Sequence, residues 1–274
     1  MTAVTTDRAT SRPAEHRAAT PGFGSTLHAE WVKFWTVRST TWSFGAMFVL
    51  GAGLTVLVCA TSADGLASGR EGESPGSFVT FGMMFAQIAA VVLGALTVTS
   101  EYGTGMIRAT LAATPRRGAV LATKALVLTG TLFVAGVVTA VAGYLGGNAF
   151  LAAAGIGVDL GDEGVLRSLV GSGLYMAGLG LFAAAAGLLL RHTAAALSLV
   201  LALVFVVGNM AFLLPGSWGE WTAKLLPGNA GSPVATPVPF NPLLLDPWIG
   251  FAVFSAEVAA LLLVGWLVFQ RRDA

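Results

Sequence analysis

Glu257 stands inside an apolar run near the end of the chain, and Gln87 and Asn209 stand inside two others. A carboxylate in such a place can exchange a proton, attract a cation or hydrogen-bond a neighbouring helix; a carboxamide both donates and accepts. All three are candidates for a substrate path or gate, and equally for bonds between helices. At 1.5 Å per residue Glu257 lies roughly 14 Å into its run. A charge at that depth costs roughly 2.5–3.5 kcal/mol, so it must face protein or water, or carry a proton.

The densest collection of polar and basic types is residues 100–117, which read Ser100-Glu101-Tyr102-Gly103-Thr104-Gly105-Met106-Ile107-Arg108 and continue through Thr110, Leu111, Pro115, Arg116 and Arg117. Gly103 and Gly105 permit a sharp turn. Met106, Ile107, Thr110 and Leu111 then make i, i+4 pairs on one face of a short helix, which Pro115 ends. Such a helix, standing off a membrane between two spans, suits a soluble partner. Hydrolytic chemistry lacks its parts. There is no G-x-x-x-x-G-K-[ST] phosphate loop and no HExxH, and His16, His28 and His192 are scattered. The chain is expected to be no enzyme and to bind no cofactor or metal of its own. Cys59 is the single cysteine, sits in an apolar run and reads as packing.

The elements that must position these residues follow from composition. The 274 residues are 55% hydrophobic and 11% charged, against about 25% charged in soluble domains. Crossing hydrocarbon takes roughly 20 apolar residues, and residues 43–61, 78–99, 121–145, 165–190, 193–214 and 248–269 qualify, the third once Lys124 snorkels from its end. These runs lack the alternation of a membrane barrel. The expectation is an all-α membrane protein with six transmembrane helices in one domain, 23–274, behind a disordered tail, 1–22. With the tail inside, inner segments hold twelve of the fifteen Lys and Arg residues, and only Arg70, Arg167 and Lys224 fall outside. That asymmetry puts both termini in the cytoplasm and the chain in the cytoplasmic membrane.

Residues 25–42 read as an amphipathic helix capped by Ser25, with Leu27, Trp31, Phe34, Trp35 and Trp42 on one stripe, and Glu30 and Lys33 pointing elsewhere. Trp31, Trp35 and Arg38 suit the membrane interface, either as an anchor or as an elbow passing motion into the first span. In span four, Gly173, Ala177, Gly180, Ala184 and Gly187 recur at helical spacing, a seam for close helix packing, within the chain or at a moving or dimer contact. The apolar piece 148–158 is too short to cross. Arg167 is expected to snorkel or to pair with Asp159, Asp162 and Glu163. The proline-dense outer segment 215–247 excludes a long helix and leaves turns, with a brief interfacial helix near Trp218, as a cover or as an aid to substrate release.

The stretch Glu101-Tyr102-Gly103-x-Gly105-x-Ile107-Arg108-x-Thr110-Leu111-x-x-Thr114-Pro115-Arg116-Arg117, with Glu30-Trp31-x-Lys33 ahead of the first span, resembles the bacterial, especially actinobacterial, type-2 ABC exporter permeases. The loop is the specific part; the rest of the likeness is the six-span layout. The resemblance implies a permease dimer, of one kind or two, in the lipid bilayer. It implies a coupling helix on which a separate ATP-binding subunit docks, with ATP and Mg held by that subunit. Glu101, Tyr102, Gly103, Thr104, Arg108, Thr110, Pro115 and Arg116 match the docking motif. Amphipathic drugs, peptides, lipids and polysaccharides are the substrates it implies. From the residues alone, a non-transporting membrane sensor or immunity protein and an ion-coupled transporter using Glu257 remain open. Nucleic-acid binding is unsupported, because the basic residues border spans without forming a patch.

Overall fold

The computed structural model describes residues 22–69, 72–113, 116–241 and 243–271. Arg8, Arg12, Arg17, Arg70, Glu71, Pro115 and Arg272, and the expected tail apart from Gly22, lie outside that set. Among the described residues every regular element is helical, and six helices are long and apolar enough to cross a membrane. In hydrocarbon each backbone N–H and C=O needs a partner inside the protein, and a helix supplies them locally. The chain is a multi-span helical membrane protein.

Helix α1, Phe23–Thr36, stops at Val37, whose extended backbone (φ −83°, ψ 120°) turns the chain into the first span, α2, Arg38–Ala67. The single helix expected over 25–42 is thus two helices, with Arg38 and Trp42 on the second. Ser25 is not the cap: the helix begins at Phe23, and the Ser25 hydroxyl donates back to the Gly22 carbonyl at 2.7 Å. The other spans are α3, Pro75–Gly103; α5, Arg117–Ala153; α6, Val165–Leu190; α7, Thr193–Met210; and α10, Pro247–Arg271. The short α4, Met106–Ala113, lies between α3 and α5. Gly105 sits just before it at φ +70°, a left-handed conformation that a side chain disfavours. Piece 148–158 splits in two. Its first part extends α5 to Ala153; beyond it, the backbone N–H and carbonyl of Val158 are bonded by the Asn148 side chain.

The bundle is built around α6, the most enclosed span, which packs against α3, α5 and α10, while α7 and α10 are the least covered. The small-residue seam does its work within the chain. A Cβ on Gly94 of α3 would come 2.1 Å from the Gly180 carbonyl oxygen, and one on Gly173 would come 2.6 Å from the Phe133 carbonyl oxygen of α5. A Cβ on Gly187 would press on Thr99, and Ala177 and Ala184 are buried on the same helix.

After α7 the proline-dense stretch forms α8, Gly216–Leu225, and α9, Pro227–Gly231, then the 3-10 turn Ser232–Ala235. Helix α8 exposes Trp218 and Trp221, as a surface helix should. The following turns are no surface cover: Pro227, Ala230, Pro233, Val234 and Ala235 are buried, wedged between α6 and α10. Tight seating there needs small partners, and a Cβ on Gly171 would meet the Val234 carbonyl oxygen at 2.1 Å. Irregular backbone at such a place must have its carbonyls satisfied by side chains. Arg167 donates to the carbonyls of Pro233, Thr236 and Pro237, Thr80 to Ala235 and Ser77 to Val238. Arg167 therefore spends its donors on this turn, and among the described residues no ion pair joins it to Asp159, Asp162 or Glu163.

Candidate functional site

Two places gather the polar residues, one at each end of the bundle. At the end carrying α4, four charged side chains from three elements meet. Lys124, two turns into α5, donates to Glu30 of α1 at 2.8 Å and to Glu101, near the end of α3, at 2.7 Å. Lys33 of α1 pairs with the same oxygen of Glu101. Glu101 is 2% exposed and Lys124 6%. Ions stripped of water lose several kcal/mol of hydration each, roughly, and persist only where opposite charges and hydrogen bonds replace it. Two carboxylates and two ammonium groups do that here, with formal charge balance.

Lys124 therefore does not snorkel out of its helix. It points inward, because two carboxylates lie at its depth. Helix α1 likewise turns Thr26, Glu30 and Phe34 to the protein and leaves Trp31 and Trp35 about half exposed. The tryptophans are held in an aromatic group: Trp35 stacks on Phe44 of α2 at 5.4 Å between centroids and meets Trp31 edge-on at 5.8 Å. Arg38, at the start of α2, is exposed.

Around the charge network, the loop residues divide by environment. Gly103, Thr104, Arg108 and Arg116 are exposed and Thr110 is half-buried, while Ile107 is buried and seats α4 on the bundle. Glu101, grouped with them by sequence, is enclosed and held by lysines. The Tyr102 ring lies under the Arg191 guanidinium, 5.0 Å from centroid to carbon, at the junction of α6 and α7. Thr193 of α7 donates to Thr99 of α3 at 2.8 Å. Arg117 donates to the Phe269 carbonyl of α10 at 2.8 Å. Both flanks of α4 are thereby tied to the far side of the bundle. Among the described residues no three His, Cys, Asp or Glu side chains cluster in a way that could hold a metal ion.

At the opposite end a cavity of about 300 Å³ opens between α3, α6, α7 and the proline-dense segment. It is lined by both Gln87 and Asn209. Gln87 bonds across helices, accepting from the Tyr175 hydroxyl of α6 at 2.8 Å. Asn209 bonds only along its own helix, to the Phe205 carbonyl at 2.7 Å, and is exposed. Glu257 is not among the lining residues; it lies half-buried on α10, and its Oε2 has no hydrogen-bond partner among the described residues. Sequence reasoning missed Tyr175, Arg167 and Lys124 as partners. For Lys124 a signal existed: a lone cation inside an apolar run, level with Glu30 and Glu101.

Compared with models of known protein families the chain matches none, and no curated protein gives a significant match.

Proposed function

We propose that this membrane protein is the permease subunit of an ATP-driven exporter, powered by a separate ATP-binding subunit that docks on α4. The observation that supports this reading most directly is the Glu30–Lys124–Glu101–Lys33 network. A helix that only decorates a loop needs no buried ionic root. Here α4 leaves Arg108 exposed and Thr110 half-buried, while the helices flanking it are cross-tied to α1. A push on α4 reaches α3 through Glu101 and α5 through Lys124, and both lead into α1 through Glu30 and Lys33. In this reading α4 and both termini face the cytoplasm, ATP and Mg stay on the partner, and two permease chains pair in the membrane. The exported class is amphipathic: drug, peptide or lipid-like.

The test is gentle purification of the tagged chain from its native membrane. A stoichiometric ATP-binding subunit is expected, lost when Arg108 and Thr110 are both replaced by Asp while the permease stays folded. A crosslinked preparation with no ATPase overturns the reading. A second reading, ion-coupled transport, draws on one observation, the buried oxygen of Glu257 that has no hydrogen-bond partner among the described residues. It requires uptake or efflux that collapses with the proton or sodium gradient and is abolished in Glu257→Gln.

A further inference from the structure

We infer that the cavity between α3, α6, α7 and the proline-dense segment is a binding site for an uncharged amphiphile bearing hydroxyl or amide groups. Its volume, about 300 Å³, is at the small end of ligand pockets.

The first argument is electrostatic. Among the described residues, none of those lining the cavity carries a charge. An ion entering must shed water without meeting an opposite charge, which costs far more than placing a neutral group there. The wall therefore discriminates against carboxylates, phosphates and ammonium groups alike.

The second argument is the hydrogen-bonding capacity left over. A carboxamide has two N–H donors and a carbonyl acceptor. Asn209, Asn229 and Asn241 each make one hydrogen bond within the chain, to the Gly208 carbonyl for Asn229 and from the Leu243 N–H for Asn241. Each keeps at least one donor and two thirds of its groups in play for a ligand's hydroxyls or amides. Gln87, by contrast, is fixed by Tyr175 and by the Met84 carbonyl and serves as a rigid floor.

The third argument is shape. Phe81 and Phe240 meet edge-to-face at 6.1 Å in the same wall, and Phe240 is 46% exposed. Their rings offer apolar faces to a ring or chain beside the polar groups. The backbone is irregular on two sides: α7 carries a π-helical stretch, Ala202–Val207, that brings Val204 and Phe205 into the lining, and the Ser232–Ala235 turn lies opposite. π-Helical turns inside α-helices recur at functional sites. The asparagines, aromatics and broken backbone thus converge on one neutral, roomy place.

This site is assigned from its lining and needs no ATPase, so it can be tested apart from the transport reading. The full chain, reconstituted in phosphatidylcholine nanodiscs, is exposed to a diazirine-bearing alkyl glucoside and to two probes with the same tail ending in a carboxylate or a trimethylammonium group. Photolabelled residues are mapped by mass spectrometry. The glucoside is expected to label residues within 77–87 or 228–241 saturably, about tenfold more than either charged probe, with octyl glucoside competing. Equal labelling by all three probes, labelling that does not saturate, or labelling only elsewhere overturns the site. Ala223→Trp, which fills the cavity, is expected to remove about nine-tenths of the labelling. Should that variant not fold, Asn209→Leu at its exposed position decides, with labelling lowered about fivefold, the factor for roughly one neutral hydrogen bond. A folded variant that labels like wild type overturns the site. A chain that binds the glucoside but never copurifies with an ATPase keeps the site and loses the exporter reading; the reverse result does the opposite.

Discussion

Lys124 and Glu30, 94 residues apart in sequence, are 2.8 Å apart in the folded chain, and both are almost fully enclosed. The contact joins α1, which precedes the first span, to the root of the third. With Glu101 on the other side of Lys124, it makes the α4 end of the bundle one ionically stapled unit.

Removing one member should be costly and removing a balanced pair much less so. Lys124→Met leaves Glu30 without its lysine and Glu101 with only Lys33, and is expected to cost about 3–5 kcal/mol. Lys124→Met combined with Glu30→Leu leaves the Lys33–Glu101 pair neutral and should recover most of that loss. Thermal unfolding of the two variants in the same detergent compares them. Equal destabilisation would show that the network does not act as a charge-balanced set.

The seam makes a position-specific prediction. Gly94→Ala drives a methyl against the Gly180 carbonyl, 2.1 Å away, whereas an alanine at Gly103 meets nothing within 4 Å. The first should lose about 1–3 kcal/mol or fail to assemble; the second should be silent in folded yield and melting temperature. Gly180→Leu should likewise disrupt assembly, since even its Cβ would lie 2.2 Å from a Leu132 methyl.

Arg167 should govern the buried turn beyond it. Arg167→Met strips its hydrogen bonds from the carbonyls of Pro233, Thr236 and Pro237; Pro233 keeps the Thr236 N–H, while each of the other two, left unsatisfied, costs about 1–3 kcal/mol. Hydrogen exchange should rise over residues 228–238 and stay unchanged in α1 and α4. An unchanged exchange pattern would mean that the turn is held by its apolar contacts alone.

The direction of the chain in the membrane can be read by labelling. In a Cys59→Ser background, Trp218→Cys is expected to react with an impermeant maleimide on intact cells, and Arg116→Cys only after permeabilisation. The opposite pattern would invert the proposed orientation and place α4 out of reach of any cytoplasmic ATPase.

How much of this was legible in sequence differs from element to element. The spans were, within a few residues, because hydrocarbon thickness sets a minimum apolar length. The first and third ran longer than expected, to Arg38, Ala67 and Ala153, because helices continue past the hydrocarbon wherever side chains allow, while the fifth stopped at Met210, short of residue 214. The turn at Gly105 and the short α4 were legible from glycine spacing and i, i+4 pairing. The site was only half so: Glu30, Lys33 and Glu101 stood out as motif residues, but not that Glu30 and Glu101 share Lys124. Likewise Gln87 and Asn209 were candidates without a common place until the fold set them on one cavity.

The amino-acid sequence alone determined that the chain is helical, spans a membrane and turns at Gly105 and through the proline-dense segment, since those outcomes depend on local apolar length and backbone freedom. Only the tertiary structure decided that the proline-dense segment dips into the bundle, that Arg167 serves its carbonyls and that Lys124 is sealed between two glutamates. Proline density forbids a long helix equally on a surface and in an interior, and an apolar run looks the same whichever face a lysine takes. Those choices rest on contacts between residues far apart in sequence, where close packing and the cost of a bare charge select one arrangement.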